Sequence, residues 1–464
     1  MMRNIVKRAL VVAAASVLAA THARPTFADT PARFEVAKTP KGLTFYYRED
    51  ATTPFAAINF GMRDVYALTT RGKEGLNALG GALVMQGADG AGQTEFIERM
   101  KDLTAGASIS LGPFSSQGNV RAPTSTIAAS MALMASALKG AAPSDKLLAR
   151  LKERANGGEA QAALRAETIA ERTAYRFALG DHPITRTFDA GRYDRIGRDD
   201  LAQWRQAVLG RDRLRIAASG RIAKAESARI IDEAFADLPS LTPPAAFAWP
   251  ELDISGGTIV VEHDTTQSAV LMIGLTSIGV GREAETALVA NAVLGGSNGR
   301  LWQGVRTSLG STYGASSGFQ LVGPGKRLVT LRAAVANDQV KASVDAVKAA
   351  YATWRSEGVT AAELKATTAR FITDFRSALD EPTRANGLVI GMQLASRSVD
   401  DIHTYETRIG GIERDALNRF IAEKFPAPER FVIVIVTPRA EGLGATCTIR
   451  AIEEAERCRK PQGR

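Results

Sequence analysis

The pattern that constrains this chain most is a divergent repeat. "GLTFYYRED" opens one stretch and leads into the apolar run "FAAINFGM", a loop and a helix near Gly75–Met85. "GGTIVVEHD" opens a second stretch and leads into "SAVLMIGLT", a loop and the helix "EAETALVANAVLGG". Each stretch closes on one more apolar run, "DRLRIAASG" in the first and "RFVIVIVTP" in the second. Runs of β-branched residues read as strands, and strands interleaved with long helices pack as a sheet covered by helices. Further helical stretches fall at Thr124–Lys139, Ser144–Leu179, Ala223–Ala236, Gln339–Ser356 and Ala361–Leu379, with a short charged helix over Ile449–Arg459. One strand–strand–loop–helix order, used twice, predicts an α+β fold of two similar domains.

The separator is Leu238–Gly257, where Pro239, Pro243, Pro244 and Pro250 withhold backbone donors from any helix or sheet. The expected domains are residues 29–238 and 258–440, joined by a linker at 239–257 and followed by a tail at 441–464. Residues 1–28 read as an export signal. Arg3, Lys7 and Arg8 form its basic start, and Ala9–Ala20 is an apolar block too short to span a bilayer. Small residues offer cleavage after Ala23 or Ala28. No other segment reaches the ~18 consecutive apolar residues of a membrane span, so the mature chain is expected in the periplasm. The net charge of +9 includes four cations of the leader, and the other basic residues are scattered, which argues against a nucleic-acid partner. The two cysteines, Cys447 and Cys458, lie close together near the C-terminus, and in an oxidising compartment such a pair is expected to form a disulfide.

Few residues can carry chemistry. In the helix near Gly75–Met85, Ala78, Gly81 and Ala82 share a face at i, i+3, i+4. None of them has a side-chain lone pair, and two glycines in one helix cost about 1 kcal/mol each against alanine. Outside the leader the histidines are His182, His263 and His403, and no two are spaced i, i+4. Gly314-Ala315-Ser316-Ser317-Gly318 has the spacing of a serine-hydrolase elbow, but the strand-like "FQLV" follows where a helix is needed. Gly295-Gly296-Ser297-Asn298-Gly299 lacks the Gly-Lys-Ser/Thr ending of a phosphate loop and reads as a turn and helix cap. Leu301, Val305 and Leu309 form a buried stripe, with Arg306 beside it in the last helical turn and Tyr313 seven residues further on.

"KEGLNALGGALVMQGA" (Lys73–Ala88), "ALGDHPITRTFDAGRYDRIGRDDLAQW", "LRIAASGRIAKAESARIIDEAFADLP" and above all "GGSNGRLWQGVRTSLGSTYGASSGF" resemble the M16 (pitrilysin/insulinase-type) metallopeptidases of the short two-domain kind, over about residues 34–438. The resemblance implies two similar domains facing each other across a cleft. It places Ala78, Gly81 and Ala82 where an active member has the His, Glu and His of His-x-x-Glu-His, a pattern that grips Zn²⁺ and activates its water. The family's third ligand falls near Glu159, which alone holds no catalytic metal and otherwise reads as a solvated helix residue. The family's Arg/Tyr pair maps onto Arg306 and Tyr313. The expectation is therefore a chain that binds no zinc itself and pairs with a zinc-bearing M16 subunit on a peptide substrate. A catalytically inert peptide-binding or scaffold protein of the same fold is the alternative.

Overall fold

The computed structural model describes residues 33–63, 71–87, 92–111, 116–140, 142–241, 249, 251–252, 254, 256–307, 312–323 and 325–459. The proposed leader lies outside them.

Among the described residues twelve strands form two six-stranded sheets. The first holds β1 (Glu35–Lys38), β2 (Thr44–Glu49), β3 (Phe55–Met62), β4 (Gly106–Leu111), β5 (Ser116–Pro123) and β6 (Leu214–Gly220), in the order β1-β2-β6-β3-β5-β4. The second holds β7 (Thr258–Glu262), β8 (Ser268–Thr276), β9 (Thr312–Gly323), β10 (Lys326–Val335), β11 (Val432–Thr437) and β12 (Cys447–Ile449), in the order β12-β7-β11-β8-β10-β9. The pairing repeats. β2 runs parallel to β6 as β7 does to β11. β3 lies antiparallel between β6 and β5, as β8 lies between β11 and β10. The two sheets are one topology written twice.

Layering explains the strand sequences. β3, β8 and β11 are buried along almost their whole length and read as continuous apolar runs, because helices cover both faces. β5 alternates buried and half-buried residues, and edge strand β4 alternates exposed and half-buried ones, so the cover thins towards that side.

One face of each sheet is covered by helices of its own half. The other is covered by a helix from the opposite half. Helix Ala166–Leu179 packs Ile169, Ala170 and Phe177 into a core with Leu271, Val432 and Val434 of the second sheet. Helix Pro382–Leu394 places Ala385, Val389 and Ile390 in a core with Ala217 of the first sheet and Phe34. This exchange changes the expectation of one helical stretch over Ser144–Leu179. The chain forms Asp145–Ala162, turns through 163–165, and starts again at Ala166. The break lets the second segment leave its own half.

The tail also differs from its expected place outside the repeat. Its strand β12 pairs with β7, from Cys447 opposite Ile259 to Ile449 opposite Val261. The corresponding edge of the first sheet is closed by β1, which precedes β2 in the chain and runs antiparallel to it. Each sheet thus covers the same open edge with a different end of the chain, satisfying backbone groups that would otherwise stay unpaired. Cys447 is disulfide-bonded to Cys458, with the Cα atoms 5.6 Å apart.

Candidate functional site

The helix that should carry the metal is Leu76–Val84. One side is fixed by close packing. A side-chain carbon added at Gly80 would lie 2.3 Å from the Trp204 ring, so only glycine fits there. The Trp204 indole N–H donates to Asn77 Oδ1 at 2.7 Å on the same side. At the N-terminus, Tyr193 imposes the same constraint on Gly75. The other side is open. Ala78 and Ala82 are exposed and Gly81 is half-buried, with the Leu111 side chain of edge strand β4 3.4 Å from where its Cβ would be. The two glycines thus have separate reasons: Gly80 admits an indole, and Gly81 lies beside the sheet edge.

Glu159 is not the solvated helix residue the sequence suggests. Its carboxylate pairs with Arg172 at 2.6 Å and with Arg192 at 2.7 Å. Burial alone would push its pKa up, but hydrogen bonds and charge from Arg192 and Arg172 outweigh that and hold it below the usual carboxylate value. Arg192 also lies over the Tyr193 ring and donates to its hydroxyl at 2.7 Å, while Arg172 lies over Phe188. The pairing was hidden in the sequence because Arg172 comes from the exchanged helix and Arg192 from a loop.

These residues do not fit a zinc ion. Ala78, Gly81 and Ala82 offer no donor, and both guanidinium groups at Glu159 oppose a cation. Among the described residues no three His, Cys, Asp or Glu side chains cluster as a metal site. The histidines sit on separate elements. His182 caps the short helix Pro183–Arg186, where Nδ1 accepts the Ile184 N–H, and its ring stacks on Trp249 at 5.1 Å. His263 follows β7, and His403 ends the helix Asp400–His403, 3.7 Å from Asp400.

The second half repeats the layout at helix Arg282–Gly295. A Cβ at Gly295 would lie 2.2 Å from the Ser317 backbone nitrogen, which explains this glycine by the close approach of β9. Asn291 and Ser317 exchange hydrogen bonds across the contact, from Asn291 Nδ2 to Ser317 O at 3.2 Å and from Ser317 Oγ to Asn291 O at 3.3 Å. Ser316 and Ser317 lie within one continuous strand, so the Gly-x-Ser-x-Gly run makes no nucleophile elbow. Gly299 caps the turn Arg300–Trp302, and the chain then widens into a π-helical turn over Gln303–Thr307. Such turns are frequent at functional sites. Leu301 and Val305 are fully buried. Arg306 falls in the π-helical turn and Tyr313 near the start of β9; their side chains, and Leu309, lie outside the described residues.

A cavity of about 310 Å³ opens between the exchanged helix Ala166–Leu179 and β8, β9 and β10. Glu167 and Glu171 wall one side, Ala269 and Leu271 line it from β8, and Ser316 and Arg332 complete it. Glu171 accepts from Gln320 Nε2 at 3.0 Å and faces Arg332 at 3.6 Å, tying the helix to the β9–β10 hairpin. Sequence reasoning missed this cavity. Glu167 and Glu171 stand at i, i+4 on a helix, but nothing local says that the helix lies on the other half's sheet.

Fold and site together define a class: a duplicated α+β chain of two six-stranded sheets whose helix Leu76–Val84 offers no metal-ligating side chain. Residues 195–371, which span the junction of the halves, match the family described as the Peptidase M16 inactive domain. Over that stretch, somewhat over a third of the chain, the sequence is thus similar to the M16 inactive domain. Its fold is similar to a peptidase M16 inactive domain from Pseudomonas fluorescens, at TM-score 0.78 and 16% identity over 88% of this chain and 98% of that one. An M16-like peptidase from Alicyclobacillus acidocaldarius aligns at TM-score 0.73 and 13% identity, over 88% and 99% of the two chains. The periplasmic protease PqqL from Escherichia coli aligns at TM-score 0.70 and 13% identity, with 93% of this chain covering 49% of that one. No curated protein matches the sequence. Among the described residues no helix is long and apolar enough to cross a membrane.

Proposed function

We propose that this chain is the zinc-less subunit of a two-chain M16-type metallopeptidase, exported to the periplasm by residues 1–28. A zinc-bearing M16 subunit contributes metal and general base. This chain contributes half of the peptide chamber, together with Arg306 and Tyr313. Guanidinium and phenol groups donate hydrogen bonds, so the pair would hold a peptide carbonyl and steady the oxyanion formed from it. The observation that carries the reading is the helix Leu76–Val84, whose open face presents only Ala78, Gly81 and Ala82 while Glu159 is held by two arginines. The chemistry is gone from a scaffold that is otherwise kept. β4, the edge strand of its sheet among the described residues, supports a peptide lying extended beside that helix. The likeness to a periplasmic protease supports the compartment.

The test is reconstitution with a zinc-bearing M16 subunit from the same organism. The mixture should cleave peptides that neither chain cleaves alone. Arg306→Ala or Tyr313→Phe should then lower kcat by ~10²–10³-fold, the usual cost of one lost oxyanion donor, with the complex still assembled. If both variants assemble and turn over like wild type, the pair is not the trans-acting one, and the inert scaffold becomes the better reading.

A further inference from the structure

The disulfide does more than shorten the tail. Between Cys447 and Cys458 the chain forms β12, turns, and lays a 3-10 segment, Ile452–Cys458, along the exchanged helix Ala166–Leu179. Ala455 is fully buried in the core that this helix shares with the second sheet, and Ile452, Cys447 and Cys458 pack against that core. Polar contacts extend the grip. Arg459 donates through Nε to the Phe177 carbonyl near the helix C-terminus, and Glu456 lies 3.9 Å from Arg176. The gripped helix belongs to the first half, whereas β12 belongs to the second sheet. A disulfide-closed loop attached to the second sheet therefore packs on a helix of the first half whose other end, at Glu167, Ala170 and Glu171, walls the 310 Å³ cavity. Both cysteines are only half-buried, within reach of a small reductant.

We propose that the Cys447–Cys458 loop is a thiol-sensitive clasp: closed, it pins helix Ala166–Leu179 to the second sheet, and opened, it frees that wall of the cavity while both sheets stay folded. The opening is a two-electron exchange with a dithiol. One donor thiolate attacks a sulfur of the bond and the other resolves the mixed disulfide, so that the chain's two sulfurs leave as thiols, the donor becomes a disulfide, and protons balance. The inference does not depend on the peptidase reading.

The experiment is hydrogen exchange by mass spectrometry on the full mature chain, oxidised and then treated with dithiothreitol. Amide exchange across 166–179 should rise by ~10-fold or more on reduction, the signature of a local opening. Exchange across 382–394, the exchanged helix on the first sheet, should stay unchanged. Cys447→Ala/Cys458→Ala should reproduce the pattern without reductant. Arg459→Ala, with the bond intact, should give a smaller rise confined to the end of the helix. The proposal is overturned if exchange at 166–179 does not change on reduction. It is equally overturned if 166–179 and 382–394 rise together, since the bond would then hold the whole fold and not a clasp.

Discussion

The two exchanged helices do one topological job by different chemistry. Ala166–Leu179 buries ten residues, among them Ile169, Tyr175, Phe177 and Leu179, and the tail closes over it. Pro382–Leu394 buries five, and hydrogen bonds add to its smaller apolar contact with the first sheet. Asn386 is fully buried and donates to the Ala57 carbonyl at 3.0 Å. Asn59 donates to the Thr383 carbonyl at 3.0 Å, and Ser219 to the Pro382 carbonyl at 3.1 Å. Gly387 and Gly391 have nothing within 4 Å of where a side chain would begin. One crossing is cemented by apolar area, which is non-directional and large. The other is registered by hydrogen bonds, which fix position and contribute less each. The lesson is that a duplicated fold preserves strand order more strictly than the means of holding it together.

Two substitutions test that contrast directly, and three more test the packing and pairing around it. Phe177→Ala should have the largest effect, about 3–5 kcal/mol of lost stability in urea titrations, as for other buried aromatic truncations. Asn386→Ala should cost less, about 1–3 kcal/mol, because it removes the buried hydrogen bonds from Asn386 to the Ala57 carbonyl and Asn59 Oδ1. If Asn386→Ala proves as costly as Phe177→Ala, the division into an apolar and a polar crossing is wrong.

The glycines should divide by sign. Gly80→Ala forces a methyl into the Trp204 ring and should destabilise by about 1–3 kcal/mol. Gly391→Ala meets open space in a helix and should stabilise by about 0.5–1 kcal/mol. Thermal melts of the two variants settle it, and equal signs would refute the packing argument for the cleft helix.

A further effect, of similar size, concerns pH. Arginines hold carboxylates in both halves, among them Glu159 with Arg172 and Arg192 in the first and Glu363 with both nitrogens of a fork from Arg300, at 2.8 Å each, in the second. The Arg300 hydrogen bonds, aided by Thr360 and opposed by burial, bring the Glu363 pKa from 4.5 to about 2. A depressed pKa stabilises the fold fully above the unfolded value, and the contribution fades as pH falls from about 4.5 towards 2. Glu363→Gln should therefore cost about 1 kcal/mol at pH 7, a modest figure for a partly exposed pair. Its gap to wild type should close near pH 2. A gap that stays constant between pH 7 and pH 2 would assign the residue a packing role.

The sequence by itself determined the strand runs, the duplicated order of elements and the lack of any metal-ligating side chain at Ala78, Gly81 and Ala82. These follow from local periodicity and side-chain chemistry, which need no knowledge of neighbours. Only the tertiary structure decided which sheet each crossing helix covers, that the tail becomes β12, that Glu159 is bound by Arg172 and Arg192, and that Gly80 exists for Trp204. An amphipathic helix specifies that one face must be buried, not against what. Because both sheets present the same kind of apolar face, the choice between them rests on the chain's path through space, and periodicity does not record it.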